Sequence, residues 1–164
     1  EQAVGNFMAL AEIDSPAGAP VRRDGINIHH NFARAERHFG EDVIVHRKGA
    51  TSASDGEIGI IPGSMGTNSY IVRGKGSADS FASCSHGAGR AMSRTAARKT
   101  IAQDDFERAL AHTFTRAARG YIDEAPQSYK DVDEVVRRQT DLVDTVHVLR
   151  PIITLKGDSK ARDD

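Results

Sequence analysis

Between positions 83 and 90 the chain reads Ser83-Cys84-Ser85-His86-Gly87-Ala88-Gly89-Arg90, and this octet constrains everything around it. One imidazole is followed by three residues with almost no side chain, then by a guanidinium. Gly87 and Gly89 let backbone N–H groups come close to a bound anion. Residues 91–99 are rich in good helix formers, which predicts a helix whose positive end points the same way. Arg90 adds a planar, two-pronged donor suited to phosphate oxygens. A histidine beside such a cradle can attack phosphorus, donate a proton or bind a metal. The competing reading is a tight glycine turn before a helix, with a buried histidine that is merely hydrogen-bonded. The octet alone leaves both open.

The chain of 164 residues is long enough for one domain with a core of its own. A formal net charge of -1 means that any nucleic-acid contact must be a local patch. The 38% hydrophobic and 27% charged fractions fit a soluble globular protein. A single cysteine, Cys84, excludes an intrachain disulfide and fits a reducing compartment, so the expected location is the cytoplasm. No apolar run approaches a membrane span. The chain starts Glu1-Gln2-Ala3-Val4, with neither an initiator Met nor a signal-peptide pattern, which reads as a piece cut from something longer.

Val4, Phe7, Met8 and Ala11 predict a helix over residues 2–13, and two prolines and two glycines predict a loop over 14–25. Strands are expected over 26–32, 43–47, 58–61 and 69–74, with small polar turn segments at 51–56 and 74–77. The second half is more helical. Phe106, Ala109, Leu110, Thr113, Phe114 and Ala117 share one face of a helix expected over 104–119. Asp131 and Glu134 resemble a capping box for a helix through Arg138 or beyond. Leu142, Val143, Val146 and Leu149 extend an apolar stripe, residues 151–157 read as a final strand, and 158–164 as a disordered polar tail. The class is α+β, a mixed sheet with helices.

Beyond the octet, four constellations can carry chemistry. His29 and His30 stand beside Asn31, but strand neighbours point to opposite faces, so one imidazole at most faces a given site. A metal needs three or more converging ligands, so surface or core histidines are the blander alternative. His38, His46, His112 and His147 lack companion spacing and read as structural. Residues 62–69, Pro-Gly-Ser-Met-Gly-Thr-Asn-Ser, offer hydroxyls and backbone N–H groups as a neutral anion nest, or form an ordinary turn. Arg47, Lys48, Arg73, Lys75, Arg90, Arg94, Arg98 and Lys99 form a phosphate track if the fold gathers them, or else a solvated surface. Lys156 ends an apolar run, and Tyr129 lies just before the capping box; each alone reads as an ordinary surface or packing residue.

Taken together, Gly63-Ser64-Met65-Gly66 and the extended octet Ser83 to Arg94 resemble the RtcB RNA-splicing ligases, in their bacterial branch. Ile28-His29-His30-Asn31-Phe32, Arg47-Lys48-Gly49-Ala50, Ser128-Tyr129-Lys130-Asp131-Val132-Asp133 and Leu155-Lys156-Gly157 match in the same order, from about position 27 to 157. The resemblance implies an enzyme that joins RNA ends bearing a 2′,3′-cyclic phosphate or 3′-phosphate to 5′-hydroxyl ends, using GTP and Mn2+. The RNA would be tRNA halves or broken RNA ends. A histidine attacks the α-phosphate of GTP, carries GMP, and passes it to the RNA 3′-phosphate; the 5′-hydroxyl then displaces GMP. His86 matches the guanylylated histidine and His30 a metal-binding histidine that also borders the guanylate. Asn31, Pro62, Gly63, Ser64, Met65, Ser69, His86, Gly87, Ala88, Gly89 and Lys156 match guanylate contacts. Tyr129 and Arg90 match the same pocket less directly, Arg90 as a phosphate contact.

The same resemblance implies that residues 1–157 are only the C-terminal catalytic portion of such a ligase. The family's Asp and Cys metal ligands, two further metal-binding histidines and an Asn-His guanylate motif have no counterpart in this sequence. Cys84 lies inside the nucleophile motif and does not replace the missing ligand. The expectation is therefore a chain inactive by itself, needing the missing N-terminal part as partner, with no membrane association. It is also expected to expose apolar surface and to self-associate. The alternatives are a non-catalytic guanylate- or RNA-binding remnant, one half of a split enzyme, or a fragment without function.

Overall fold

A computed structural model describes residues 26, 28–115, 117 and 119–156. The helix expected over 2–13, the loop over 14–25 and the tail over 158–164 lie outside the described residues. The class is α+β. The strands pair only antiparallel, in three small sheets rather than one mixed sheet.

β1 (Asn31–His38) and β2 (Glu41–Lys48) form a hairpin in full register, Asn31 opposite Lys48 and His38 opposite Glu41. Its two-residue turn, Phe39-Gly40, has both φ angles positive, at 52° and 87°, as a hairpin turn that follows the strand twist requires. β3 (Ala50–Ser52) pairs with β6 (Ser83–Ser85), so the first residues of the octet are a strand and His86 follows directly at its end. β4 (Ile58–Ile61), β5 (Ser69–Gly74) and β7 (Val143–Leu149) make the third sheet, with β5 central.

The helices are short. α1 (Arg94–Thr100) begins at the N-cap Ser93, α2 spans Gln103–Leu110, and α3 (Val132–Arg137) is capped by Asp131, whose side chain accepts from Asp133 N and Glu134 N. Between α2 and α3 the chain makes two 3-10 turns, Arg119–Glu124 and Pro126–Ser128.

Several sequence expectations are corrected. The strand expected over 26–32 starts only at Asn31 and runs to His38. Residues 51–56 are not all turn, since Thr51 and Ser52 belong to β3. The helix predicted over 104–119 stops at Leu110: Thr113 Oγ1 caps the Leu110 carbonyl at 2.9 Å, and Phe114 N turns away to Ile152 O at 2.8 Å. The apolar stripe from Leu142 is strand from Val143 to Leu149. Residues 151–156 are irregular, docked by Thr154 N on Thr115 Oγ1 at 2.7 Å and Thr154 Oγ1 on Met65 O at 3.0 Å.

Two apolar clusters hold these pieces. One joins Ile61, Tyr70, Val72, Cys84, Val132 and Val143; the other joins Met65, Phe106, Leu110, Ile122 and Ala125. Ile61 ends β4 in the first cluster and Met65 sits in the second, so the loop from Pro62 crosses from one core to the other. Among the described residues no helix is long and apolar enough to cross a membrane.

Candidate functional site

His86 stands where the strand carrying Cys84 leaves the first core. Its ring lies face to face with that of His30, centroids 5.0 Å apart and planes 14° from parallel. A Cβ built on Gly49 would meet His86 Nε2 at 3.8 Å, so the β2–β3 connection backs the ring. Burial, and after it the neighbouring His30, pushes the His86 imidazole below the ordinary histidine range. At neutral pH it is an uncharged ring with a lone pair, the form a nucleophile needs.

The octet and the Pro62 loop touch. A Cβ on Gly87 would come within 3.4 Å of Pro62 O. Ser85 Oγ donates to Gly87 O, and Gly87 N points back at Ser85 Oγ at 3.4 Å, so this turn is closed by its own groups. The loop is likewise self-bonded: Gly63 N donates to Ser69 Oγ at 3.0 Å and Ser64 N to Thr67 Oγ1 at 2.6 Å. A side chain at Gly63 would lie 2.0 Å from Asn68 O, so only glycine fits there. Asn31 opens β1 beside His30, and Ala88 packs on the first core.

A second cluster surrounds Glu124. Tyr129 donates to Glu124 Oε2 at 2.6 Å, and Lys156 Nζ lies 3.5 Å from the same oxygen. Arg94 Nη1 and Arg90 Nη1 approach Oε1 at 2.5 and 3.5 Å. Burial opposes the charge of Glu124, but the Tyr129 hydroxyl and the Lys156 and Arg94 cations outweigh it and hold the carboxyl below the usual range. Next to it, Asp123 is buried and bonded by Arg94 at 2.8 Å and Arg98 at 3.2 Å. A depression of about 330 Å3 is lined by Arg94, Arg98, Tyr121, Asp123, Glu124 and Lys156. Lys156 also lines a neighbouring one of about 270 Å3 together with Met65 and Thr154.

The predicted residues therefore fall into two contiguous groups. His30 and His86 form the imidazole pair, and Gly87, next in the chain, meets Pro62. Arg90, Tyr129 and Lys156 meet at Glu124, and Met65 reaches toward Lys156 from the loop. Arg90 departs from its simplest reading. Its guanidinium donates to Asp123 O at 2.6 Å, Met92 O at 3.1 Å and Tyr129 OH at 3.2 Å, and lies over the Tyr129 ring. These donors hold protein before they hold phosphate. The expected helix start after Arg90 moves to Arg94, with its N-terminus occupied by Ser93, which accepts from Ala96 N.

The basic track is also corrected. Arg47 is 2% exposed and is spent on Glu36, Ser83 Oγ and Phe81 O. Lys75 pairs with Asp144 at 2.9 Å. Only Arg90, Arg94 and Arg98 come together, around Asp123 and Glu124. Glu124, Asp123 and Gln139, whose Oε1 accepts from Ser85 N at 3.0 Å, were not legible as site residues. A lone acid doublet or a lone glutamine has no spacing signature.

Among the described residues, no three His, Cys, Asp or Glu side chains group so as to hold a metal ion. His30 can be one ligand at most, so these residues do not by themselves fit a manganese site.

A histidine at a strand end lies against the glycine-bearing Pro62 loop, and residues 7–157 match the family model described as tRNA-splicing ligase RtcB. The chain belongs to the RtcB family. It is 54% identical over 132 residues to an RNA-splicing ligase RtcB of Escherichia coli (strain K12), covering 80% of this chain and 32% of that protein. A tRNA-splicing ligase RtcB of Methanopyrus kandleri is 40% identical over 159 residues, covering 80% of this chain and 16% of its own length. An RNA-splicing ligase RtcB of Mycobacterium bovis is 36% identical over 154 residues, with 80% and 36% covered. The chain thus spans about a third of the length of the bacterial relatives it matches.

Proposed function

We propose that this chain carries the nucleotide-handling part of a GTP- and Mn2+-dependent RNA ligase, with His86 as the catalytic residue. The contact between the His30–His86 pair and the Pro62 loop through Gly87 is the observation that supports this best. The neutral His86 nitrogen attacks the α-phosphorus of GTP. A P–N bond forms, the bond to the β-phosphate oxygen breaks, and pyrophosphate leaves. Where the RNA end is a 2′,3′-cyclic phosphate, water first breaks its bond to the 2′-oxygen; the GMP then moves to the 3′-phosphate oxygen, regenerating the imidazole, and a 5′-hydroxyl displaces GMP as the phosphodiester forms. Gly63, Ser64, Ser69 and Gly89 line the nucleotide, while Tyr129 and Lys156 bound the pocket, with Lys156 donating to the guanine edge. His30 serves as one metal ligand, and bound Mn2+ would supply charge neutralisation at the phosphates.

By itself the chain is inactive on this reading, because one histidine does not make a metal site. The test is joining of RNA halves that end in a 2′,3′-cyclic phosphate and a 5′-hydroxyl, in GTP and Mn2+. The chain alone joins none; the chain with the remaining part of an RtcB relative joins them. No joining in any mixture, with guanosine-nucleotide binding that survives His86→Ala, would favour a binding remnant instead. Failure to fold or to bind any phosphate ligand would mark a fragment without function.

A further inference from the structure

We propose that Glu124 is the positioning residue of the nucleotide pocket, gathering Lys156, Tyr129 and Arg90 on one carboxylate so that the Lys156 ammonium is held ready for the base. This rests on the reading above that Lys156 meets the guanine edge.

The geometry supports it from three sides. The backbone under Glu124 is fixed: Asp123 is 2% exposed, bonded by Arg94 and Arg98, and its carbonyl accepts from Arg90 Nη2 at 2.6 Å. The carboxylate itself is 18% exposed and divides its oxygens, Oε2 toward Tyr129 and Lys156, Oε1 toward Arg94 and Arg90. Lys156 arrives from an irregular segment and, among the described residues, its ammonium contacts no other acceptor. A lysine stem with four rotatable bonds does not hold one place unaided. Glu124 also touches two further residues expected in the same pocket, Arg90 and Tyr129. Arg90 keeps its bonds to Asp123 O and Met92 O without Glu124, whereas Lys156 has no such second hold, so the effect of Glu124 on the nucleotide runs through Lys156.

The experiment is a double-mutant cycle on GMP binding to the full chain by calorimetry. Glu124→Gln, which keeps the shape and an acceptor for Tyr129, and Lys156→Met are each expected to weaken GMP by about tenfold. The double variant is expected to bind no worse than Lys156→Met alone, since the glutamate acts through the lysine. Binding of Glu124→Gln at wild-type strength, or losses that multiply to roughly a hundredfold in the double variant, would overturn the inference. If Glu124→Gln does not fold, Glu124→Asp takes its place in the cycle, with the same two outcomes. If the wild-type chain binds no GMP, the reading of the pocket fails, and the array is judged on Tyr129. Burial and then Glu124 push that phenol above the ordinary range. An ultraviolet titration that moves to lower pH in Glu124→Gln upholds the array, and an unchanged one overturns it.

Discussion

Glu36 on β1 and Arg47 on β2 join diagonally across the hairpin as a two-pronged ion pair, the guanidinium 1% and the carboxylate 12% exposed. Arg47 Nη2 lies 2.9 Å from Glu36 Oε2, and Nη1 takes the other oxygen. His38 Nε2 sits 2.9 Å from Oε2, and the Arg47 guanidinium lies over the Phe32 ring at 5.4 Å. The pair fastens the hairpin to the strand that leads into His86, because Arg47 Nε also donates to Ser83 Oγ at 3.0 Å.

The pair makes stability depend on pH in a defined window. The Arg47 hydrogen bond, against the opposing effect of burial, and with help from His38 and Arg34, lowers the Glu36 carboxyl from 4.5 to about 2. A depressed carboxylate stabilises the fold fully above its unfolded value and loses that contribution as pH falls through its folded one. Urea unfolding should therefore show a loss of roughly 3 kcal/mol between about pH 4.5 and pH 2. In Glu36→Gln that part of the pH dependence should vanish, and stability at neutral pH should fall by about 3–5 kcal/mol because Arg47 is left buried and unpaired. A variant with the wild-type acid profile would contradict this.

Gly63 is predicted to tolerate no side chain. A methyl group there meets Asn68 O at 2.0 Å and Thr67 O at 2.7 Å, both backbone atoms that cannot step aside. Gly63→Ala should cost about 1–3 kcal/mol in thermal or urea unfolding and weaken guanosine-nucleotide binding as the loop is displaced. Unchanged stability and binding would show that the loop relaxes freely.

Arg90→Lys should destabilise the chain even without any phosphate ligand. A lysine cannot make the three divergent hydrogen bonds to Met92 O, Asp123 O and Tyr129 OH, nor lie flat on the Tyr129 ring. The expected loss is about 1–3 kcal/mol by urea unfolding. Wild-type stability would mean that Arg90 is free to serve phosphate alone.

Phe39 at the hairpin tip, Ile44 on β2 and Phe81 ahead of β6 expose apolar surface, at 66%, 63% and 41%, with the two Phe rings 5.5 Å apart. Phe39→Asn combined with Ile44→Lys should reduce self-association in sedimentation velocity. Asparagine also accepts the positive φ of position 39 more readily than phenylalanine does. Association that is unchanged in this variant would place the sticky surface elsewhere.

How much of this was legible varies by element, for physical reasons. β4 and β5 are short apolar runs between glycine and proline, and their pattern is unambiguous. β1 was cut short because residues 33–38 offer alanine, arginine and glutamate, and its inward face carries the Glu36 charge where a strand usually carries apolar residues. β7 was hidden by its bulge. Thr145 and His147 find partners on β5 while Val146 between them has none. That extra residue turns a two-residue period into the three-residue spacing of Val143, Val146 and Leu149, which mimics a helix. At the site, His86 with the Gly87-Ala88-Gly89 run after it, and the 62–69 loop, carry their own signature. Glu124 does not, since its meaning comes only from what the fold brings to it.

The most direct test of the central claim is a search for covalent nucleotide on His86. The chain is incubated with GTP and Mn2+, with and without the remaining part of an RtcB relative, then digested and read by peptide mass spectrometry under non-acidic conditions. The account predicts GMP on the His86 peptide in the complemented mixture and none in the His86→Ala variant. A complemented, RNA-joining mixture whose His86 peptide carries no GMP, or whose adduct persists in His86→Ala, would contradict it.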